Sequence, residues 1–381
     1  MSEYQYYEFQ AIDRPLDDAQ QAALRAVSSR ARITATSFVN FYSFGDFKGD
    51  PDRLMESSFD LHLYLANWGT RRLMIRWPER LIDRKALAPF LRGADDVGWS
   101  VTLRKSGPNL ILNIELDEEE VADWDDGTGS LAALAPLRAD VLGGDLRLFY
   151  LVWLRAIAAD MIAPETPEPM PGIGPLNGAL EAFASFFAIN PDLVAAASER
   201  DAAPDASSDA ASARIAALSD REKTELLTRL HDGDAHVGHE LRARIRRHAT
   251  SETSEAGPPA SPARTAGALR ARATKLRRER ERIRAEAAQA ERERQQAETE
   301  RIRRARLEAV ARRGEAVWNE IEEAIEQRNA PGYDKAAELI FDLETIAARA
   351  GRQADFALRV QDIRARHARK RKLIARLEGL G

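Results

Sequence analysis

The chain contains no cysteine, which excludes structural disulfides, thiolate nucleophiles and every zinc site built on cysteine ligands. Such a composition suits a reducing cytoplasm. Long apolar runs are also missing. The longest, Leu148–Ala163 (LFYLVWLRAIAADMIA), carries Arg155 and Asp160 and is shorter than the roughly 20 residues a bilayer span requires. A buried helix is expected there, and no membrane association. The first residues (MSEYQYYEFQAIDRP) lack a basic region followed by an apolar stretch, so no secretory signal is expected. There is no GxxxxGK[ST], GxSxG or HExxH motif and no glycine-rich dinucleotide turn after a strand. Neither a resident cofactor nor a motif-defined catalytic centre is therefore expected.

From Arg264 to Glu315 proline and aromatic residues are absent, and six aliphatic residues accompany 17 Arg/Lys and nine Glu. Such a segment cannot bury a core, so a long solvated helix is expected. Arg277–Glu281, Arg282–Glu286, Glu300–Arg304 and Glu308–Arg312 are each spaced for a pair worth roughly 0.2–0.5 kcal/mol. At 1.5 Å per residue a helix of this length reaches about 80 Å. Leu269, Leu276 and Ile283 repeat every seven residues, continued by Ala290 and Ala297, but the companion positions Arg272, Glu279, Glu286 and Glu293 are charged. A coiled coil needs two apolar positions per heptad; at most a weak homodimer is expected.

Charge is divided unequally. Residues 1–263 carry 27 basic and 41 acidic groups, net −14, and residues 264–381 carry 29 and 20, net +9. The basic part fits a solvated spacer, a helix that docks on a protein partner, or an arm that neutralises nucleic-acid phosphates. Interspersed glutamates and the lack of aromatics for base stacking favour the first two.

Residues 1–125 read as an α/β domain. Strands are expected at Tyr4–Ile12, Ile33–Tyr42, Phe59–Ala66 and Arg71–Trp77, with helices at Asp17–Ser29 and 79–92. A hairpin follows, in which Trp99, Val101 and Leu103 alternate with polar residues, Ser106–Asn109 turns, and Leu110, Leu112, Ile114 and Leu116 return. This order suggests an α+β chain with a ferredoxin-like domain. Residues 130–198 form a helical extension packed on it, with one wide stripe through Leu146, Phe149, Tyr150, Trp153, Leu154 and Ile157. Residues 199–212 and 250–263 read as linkers around a helical hairpin at 213–249, whose first helix opens on the capping box Ser219-Asp220-Arg221-Glu222. Beyond the charged helix at 264–315, residues 316–381 read as a small helical module with helices at 316–327, 334–349 and 352–378.

Several clusters are candidates for chemistry. His231, His236 and His239, with Asp232 and Asp234 (HDGDAHVGH), have metal-ligand residue types at close spacing, although Gly233-Asp234 also reads as an inter-helix turn. Trp68, Arg71 and Arg72 at a tight turn suit an anion or a peptide, although a hairpin corner around a buried Trp is the leading explanation. Asp46 and Asp50 flank a Gly/Lys loop and, with Trp68 and Arg71, are where an enzyme site would centre. Asp123, Asp125 and Asp126 surround Trp124 as an acidic loop. Arg369, Lys370, Arg371 and Lys372 are a basic cluster for phosphate, or cations placed to suit a helix C-terminus.

The segments SEYQYYEFQAIDRPL, TSFVNFYSFGDFKGDPDRLM and YLANWGTRRLMIRWP, with LHDGDAHVGHELRARI and the YDKAAELIFDLETIAARAGR…FALRVQDIRARHARKRKLIARL end, resemble an uncharacterised family of bacterial proteins over nearly the full length. The tail is also similar to helical tails of bacterial SWIM zinc-finger proteins; that motif needs cysteine, so zinc binding is not carried over. The resemblance implies a bacterial cytoplasmic protein and brings no activity. Taken together, the sequence points to a non-enzymatic interaction protein that holds a protein partner on its C-terminal helical module. A nucleic-acid-associated protein and an enzyme of the N-terminal domain stand as alternatives.

Overall fold

The computed structural model describes residues 3–93, 98–118, 126–200, 208–253 and 263–378. The chain is mixed α+β and forms two compact units, Met1–Glu279 and Arg280–Gly381.

The first unit is built on one seven-stranded sheet. Its elements run β1 (Gln5–Gln10), α1 (Asp18–Val27), β2 (Arg32–Ile33), β3 (Ser37–Tyr42), α2 (Pro51–Ser57), β4 (Leu61–Ala66), β5 (Arg71–Pro78), a 3₁₀ turn (Glu79–Leu81), α3 (Arg84–Leu87), β6 (Trp99–Ser106) and β7 (Asn109–Leu116). Spatial order is β2-β3-β1-β4-β5-β7-β6. All six pairings are antiparallel. A ferredoxin-like fold interleaves two split βαβ units in one antiparallel sheet. What the structure shows is the coarser arrangement, an open seven-stranded antiparallel sheet among the described residues; the ferredoxin-like topology itself is not confirmed.

Period-two alternation gives the sheet two buried faces. Leu61, Leu63 and Leu65 of β4 and Leu73, Ile75 and Trp77 of β5 face a large core. It is completed by α4 (Ser130–Leu134), α5 (Pro136–Gly143), α6 (Arg147–Ala158), α7 (Gly178–Phe186) and α8 (Pro191–Ser198). Every residue of α6 from Leu148 to Leu154 is buried, as a helix apolar all round must be. The opposite face carries a smaller core of Phe9, Phe38, Phe47, Met55, Phe59 and Met74 under α1 and α2.

Two local features differ from the sequence expectation. The single strand expected over Ile33–Tyr42 is broken at Thr34–Thr36, where Thr34 Oγ1 accepts from Thr36 N at 3.2 Å and Thr34 N donates to Ser37 O at 2.9 Å. Hydroxyl-to-backbone bonds of this kind stabilise turns against strands. The segment 79–92 forms only the 3₁₀ turn and α3, because it is a short connection that buries Leu81 and Leu87.

Three helices follow: α9 (Ser208–Ala217), α10 (Asp220–His231) and α11 (Val237–Thr253). The capping box on α10 forms reciprocally between Ser219 and Glu222. Polar contacts bind this group to the sheet unit: Arg80 lies 3.3 Å from Glu240, and His236 Nε2 lies 3.2 Å from Asp13.

Helix α12 (Ala266–Arg313) is the 48-residue charged element. Ala266, Leu269 and Ala273 are buried in the large core of the first unit, and Val310 in that of the second. Every residue from Glu281 to Arg306 is exposed, and the stretch is laced by charge pairs such as Arg282–Glu286 at 2.6 Å and Arg301–Glu298 at 2.7 Å and by hydrogen bonds such as Gln289–Glu293 at 2.7 Å. The second unit continues with α13 (Ala316–Glu326), α14 (Ala330–Arg349), α15 (Gln353–Arg366) and α16 (Arg371–Arg376). Among the described residues no helix is long and apolar enough to cross a membrane.

Candidate partner-binding groove

The helices of the second unit are amphipathic, and their stripes make its core. Val317, Ile321, Ala324 and Ile325 of α13, Ala336, Ala337 and Ile340 of α14, Val360 and Ile363 of α15, and Leu373 of α16 are buried together. Asn329 caps α14 by accepting from Gly332 N at 2.8 Å. A side chain at Gly332 would bring its Cβ to 2.4 Å from Ala324 O, so glycine there permits the close approach of α13 and α14.

Not all apolar residues of these helices enter that core. Gly314, at φ +56°, ends α12, and the turn leaves a groove of about 580 Å³. Its apolar wall is Val310, Trp318, Leu343, Ile346, Ala347 and Phe356. Trp318 and Phe356 lie with ring centroids 6.1 Å apart and planes tilted by 45°. Leu358 lines the groove at 66% exposure. Charged residues border it. Arg359 donates to Glu315 at 2.6 Å and stands 5.3 Å from the Trp318 ring centroid, while Arg352 and Asp355 complete the lining. The hydrogen bond from Arg359 holds the Glu315 carboxyl below the usual carboxylate range. An apolar floor with a mixed-charge border suits binding; it offers no histidine, no hydroxyl nucleophile and no paired acids.

The residues singled out from the sequence fall elsewhere. In the β4–β5 turn Trp68 is 43% exposed, so it is not the buried corner residue one explanation required. Gly69, at φ +108°, would place a Cβ 1.6 Å from Glu118 O, so the turn needs glycine. Arg71 and Arg72 point to opposite sheet faces: Arg71 donates to Phe186 O at 2.6 Å, and Arg72 donates to Asn113 Oδ1 at 2.6 Å and to Asp52 at 2.8 Å. The three therefore do not converge on one ligand. Asp50 caps α2 by accepting from Asp52 N and Arg53 N, and Asp46 accepts from Gln5 at 2.9 Å. Where a loop is expected from the sequence, the structure forms α2; Asp50 at the cap and Pro51 at the first helical position are its helix-start signal.

His231 is exposed beside Asp232, His236 faces Asp13, and Asp234 is engaged by Arg229 at 2.6 Å. Among the described residues no three metal-ligating side chains come together. Asp123, Trp124 and Asp125 lie outside the described residues. The expected helix 352–378 is broken at His367–Lys370. Arg371 and Lys372 therefore begin α16 and do not end a helix, which removes the macrodipole explanation for them. Lys370 donates to Glu326 at 2.9 Å, while Arg369, Arg371 and Lys372 are exposed.

The groove residues Trp318, Phe356, Leu358 and Arg359 were not singled out from the sequence. One signal was present: Leu358 lies off the apolar stripe formed by Phe356, Val360 and Ile363.

Fold and groove define an α+β chain with an open antiparallel sheet unit and a helical unit that bears an apolar groove. Comparison with known proteins finds no matching family model, no similar curated protein and no similar solved structure.

Proposed function

We propose that the protein is a non-enzymatic interaction protein of the bacterial cytoplasm, in which α12 joins a sheet unit to a helical module that holds a segment of a protein partner. The observation that carries this is the Trp318–Phe356 groove, with Leu358 left exposed beside it. An amphipathic helix is the occupant that fits: apolar side chains at i, i+3 and i+4 would fill the floor. Charged residues on its flanks would meet Arg352 and Asp355, for which no ion pair occurs among the described residues. Buried aromatic anchors typically contribute 2 kcal/mol or more to such contacts, roughly a 30-fold change in affinity. The test is co-purification of the tagged full chain with and without Trp318→Ala from its native cells. A stoichiometric partner present with the wild type and depleted at least about tenfold with the variant supports the proposal. The same companions with both chains, or none with either, would remove it.

A second reading has one observation in its favour. Arg369, Arg371 and Lys372 have no ion pair among the described residues, whereas Arg366, Lys370 and Arg376 are paired with carboxylates. Unpaired cations of this kind could serve phosphate contacts in a nucleic-acid-associated protein. Binding to a duplex should then be strongest at about 50 mM salt and fall steeply by about 200 mM. No binding at the lower salt disposes of this alternative.

A further inference from the structure

The two edges of the seven-stranded sheet are finished differently. On β6 the cations are neutralised: Arg104 lies 3.0 Å from Asp52, and Lys105 pairs with Glu79 at 2.5 Å. The other edge is incomplete. β2 is two residues long and pairs only with Phe38 and Val39, leaving the outer side of β3 from Asn40 to Tyr42 without a neighbour among the described strands. Peptide orientation there follows from alternation in antiparallel ladders. Thr34 N donates to Ser37 O toward β2, and Ala11 N donates to Thr36 O toward β1. The peptide groups of Ser37, Val39 and Phe41 therefore face outward, so the N–H and C=O of Phe41 lie on the bare edge.

Continuing the Arg32–Val39 register would place Arg30 opposite Phe41. Instead the chain bends away there, held by Arg25, which donates to Ala31 O at 2.6 Å and Ser29 O at 3.2 Å. Arg30 and Arg32 are exposed and make no ion pair within 4 Å among the described residues, although the charge of Arg32 is also felt by Glu8 on β1. A cavity of about 210 Å³ lies at this edge, lined by Arg30, Asn40, Phe41, Tyr42, Ser43 and Phe44. Phe41 is 61% and Phe44 84% exposed.

Charged residues on an edge strand commonly serve only to prevent edge-to-edge aggregation. That explanation covers the arginines but not two exposed phenylalanines beside an unfilled backbone position. We propose that this edge takes an extended acidic peptide from another protein as an added strand. Its backbone would pair with Phe41, its carboxylates would meet Arg30 and Arg32, and an apolar side chain would cover Phe41 and Phe44. Charge complementarity selects this occupant. A single-stranded nucleic acid would also use guanidinium and aromatic groups, but residues 1–263 carry 41 acidic against 27 basic groups, which opposes a polyanion. A short peptide with two carboxylates meets far less of that repulsion. The site is distinct from the Trp318 groove and does not depend on it.

The test is fluorescence anisotropy of an end-capped, labelled peptide alternating Glu with Val and Phe, titrated with the full chain. Saturable binding is expected, weakened at least about tenfold by Arg30→Glu and by Phe41→Pro. Proline at an outward-facing edge position removes the pairing N–H and is compatible with an edge strand. Arg30→Glu changes an exposed, unpaired side chain and leaves the fold intact, so it decides the matter should Phe41→Pro misfold. Trp318→Ala is expected to leave peptide binding unchanged. The proposal is overturned by absence of saturation up to about 1 mM chain, or by equal affinity for the variants. Equivalent Arg30-dependent binding of an oligo-dT strand, or a self-dimer lost in Phe41→Pro, overturns it too.

Discussion

Through His62 alone, the first unit is expected to lose about 1.4 kcal/mol of stability per pH unit as pH falls from about 6.5 toward 3. The His62 ring is fully buried and stacks on Phe9 with centroids 3.9 Å apart at 14°. Its Nδ1 lies 3.0 Å from Glu8 O. A carbonyl only accepts, so Nδ1 carries the proton, and the bare Nε2 has no hydrogen-bond partner. Burial pushes the pKa down to about 3, opposed by the bond to Glu8 O and assisted by the nearby Arg72 charge. Below pH 6.5 the unfolded chain binds a proton that the native state refuses, so stability rises with pH through that window and levels above it. Glu8, raised by its own burial, acts with the opposite sign, so the informative quantity is a difference between two chains. Urea unfolding of wild type and His62→Phe at pH 7, 5.5 and 4.5 measures it. The wild type should lose stability relative to the variant at each step; parallel curves would show that His62 titrates normally.

Replacing Glu168 with Ala is expected to cost the first unit about 3–5 kcal/mol. The Glu168 side chain is completely buried. It accepts from Tyr150 Oη at 2.9 Å and from Arg264 Nη2 at 3.0 Å, and its other oxygen accepts from Arg264 N at 3.1 Å. Truncation leaves the buried Tyr150 phenol without its acceptor and the largely buried Arg264 guanidinium without its counter-charge, held only by the Ala196 and Ala197 carbonyls. An unpaired buried charge costs more than the pair contributed. The effect also reaches α12, because Arg264 continues into its first turn, where Ala266 N donates to Thr166 O at 2.9 Å. Glu168→Gln keeps an acceptor but loses the charge and should fall between the two. Denaturant unfolding followed by tryptophan fluorescence, dominated in this unit by the buried Trp77, Trp99 and Trp153, reads the difference. A loss below about 1 kcal/mol would mean that the carboxylate is not the anchor its contacts describe.

What the sequence revealed depended on the range of the interaction concerned. The β6–β7 hairpin was legible because both strands and their turn lie within 18 residues and alternate cleanly, and the register runs Trp99–Leu116 to Ser106–Asn109 as adjacency requires. The Ser219–Glu222 box was legible because both partners lie within one helical turn. Sheet order was not. β1 sits between β3 and β4, with Gln5 opposite both Tyr42 and Ala66. Nothing local to Gln5 states that choice, and a string of alternating strands and helices is equally compatible with crossovers. The same limit applies to the groove. The apolar stripes of α13, α14 and α15 can be counted along the chain, but the meeting of Trp318 with Phe356 depends on how those helices pack. The charged residues of α12 show the reverse case: with no apolar face to bury between Glu281 and Arg306, composition alone sufficed.

The central claim is that the second unit holds a protein partner in the groove formed by Trp318 and Phe356. Its most direct test is a photo-crosslinking residue at position 358, in the full-length chain in native cells. The account requires one discrete crosslinked partner, lost when Trp318→Ala is combined with the crosslinker and absent when the crosslinker is moved to exposed position 283 of α12. No crosslinked species, or one that persists unchanged with Trp318→Ala, contradicts it.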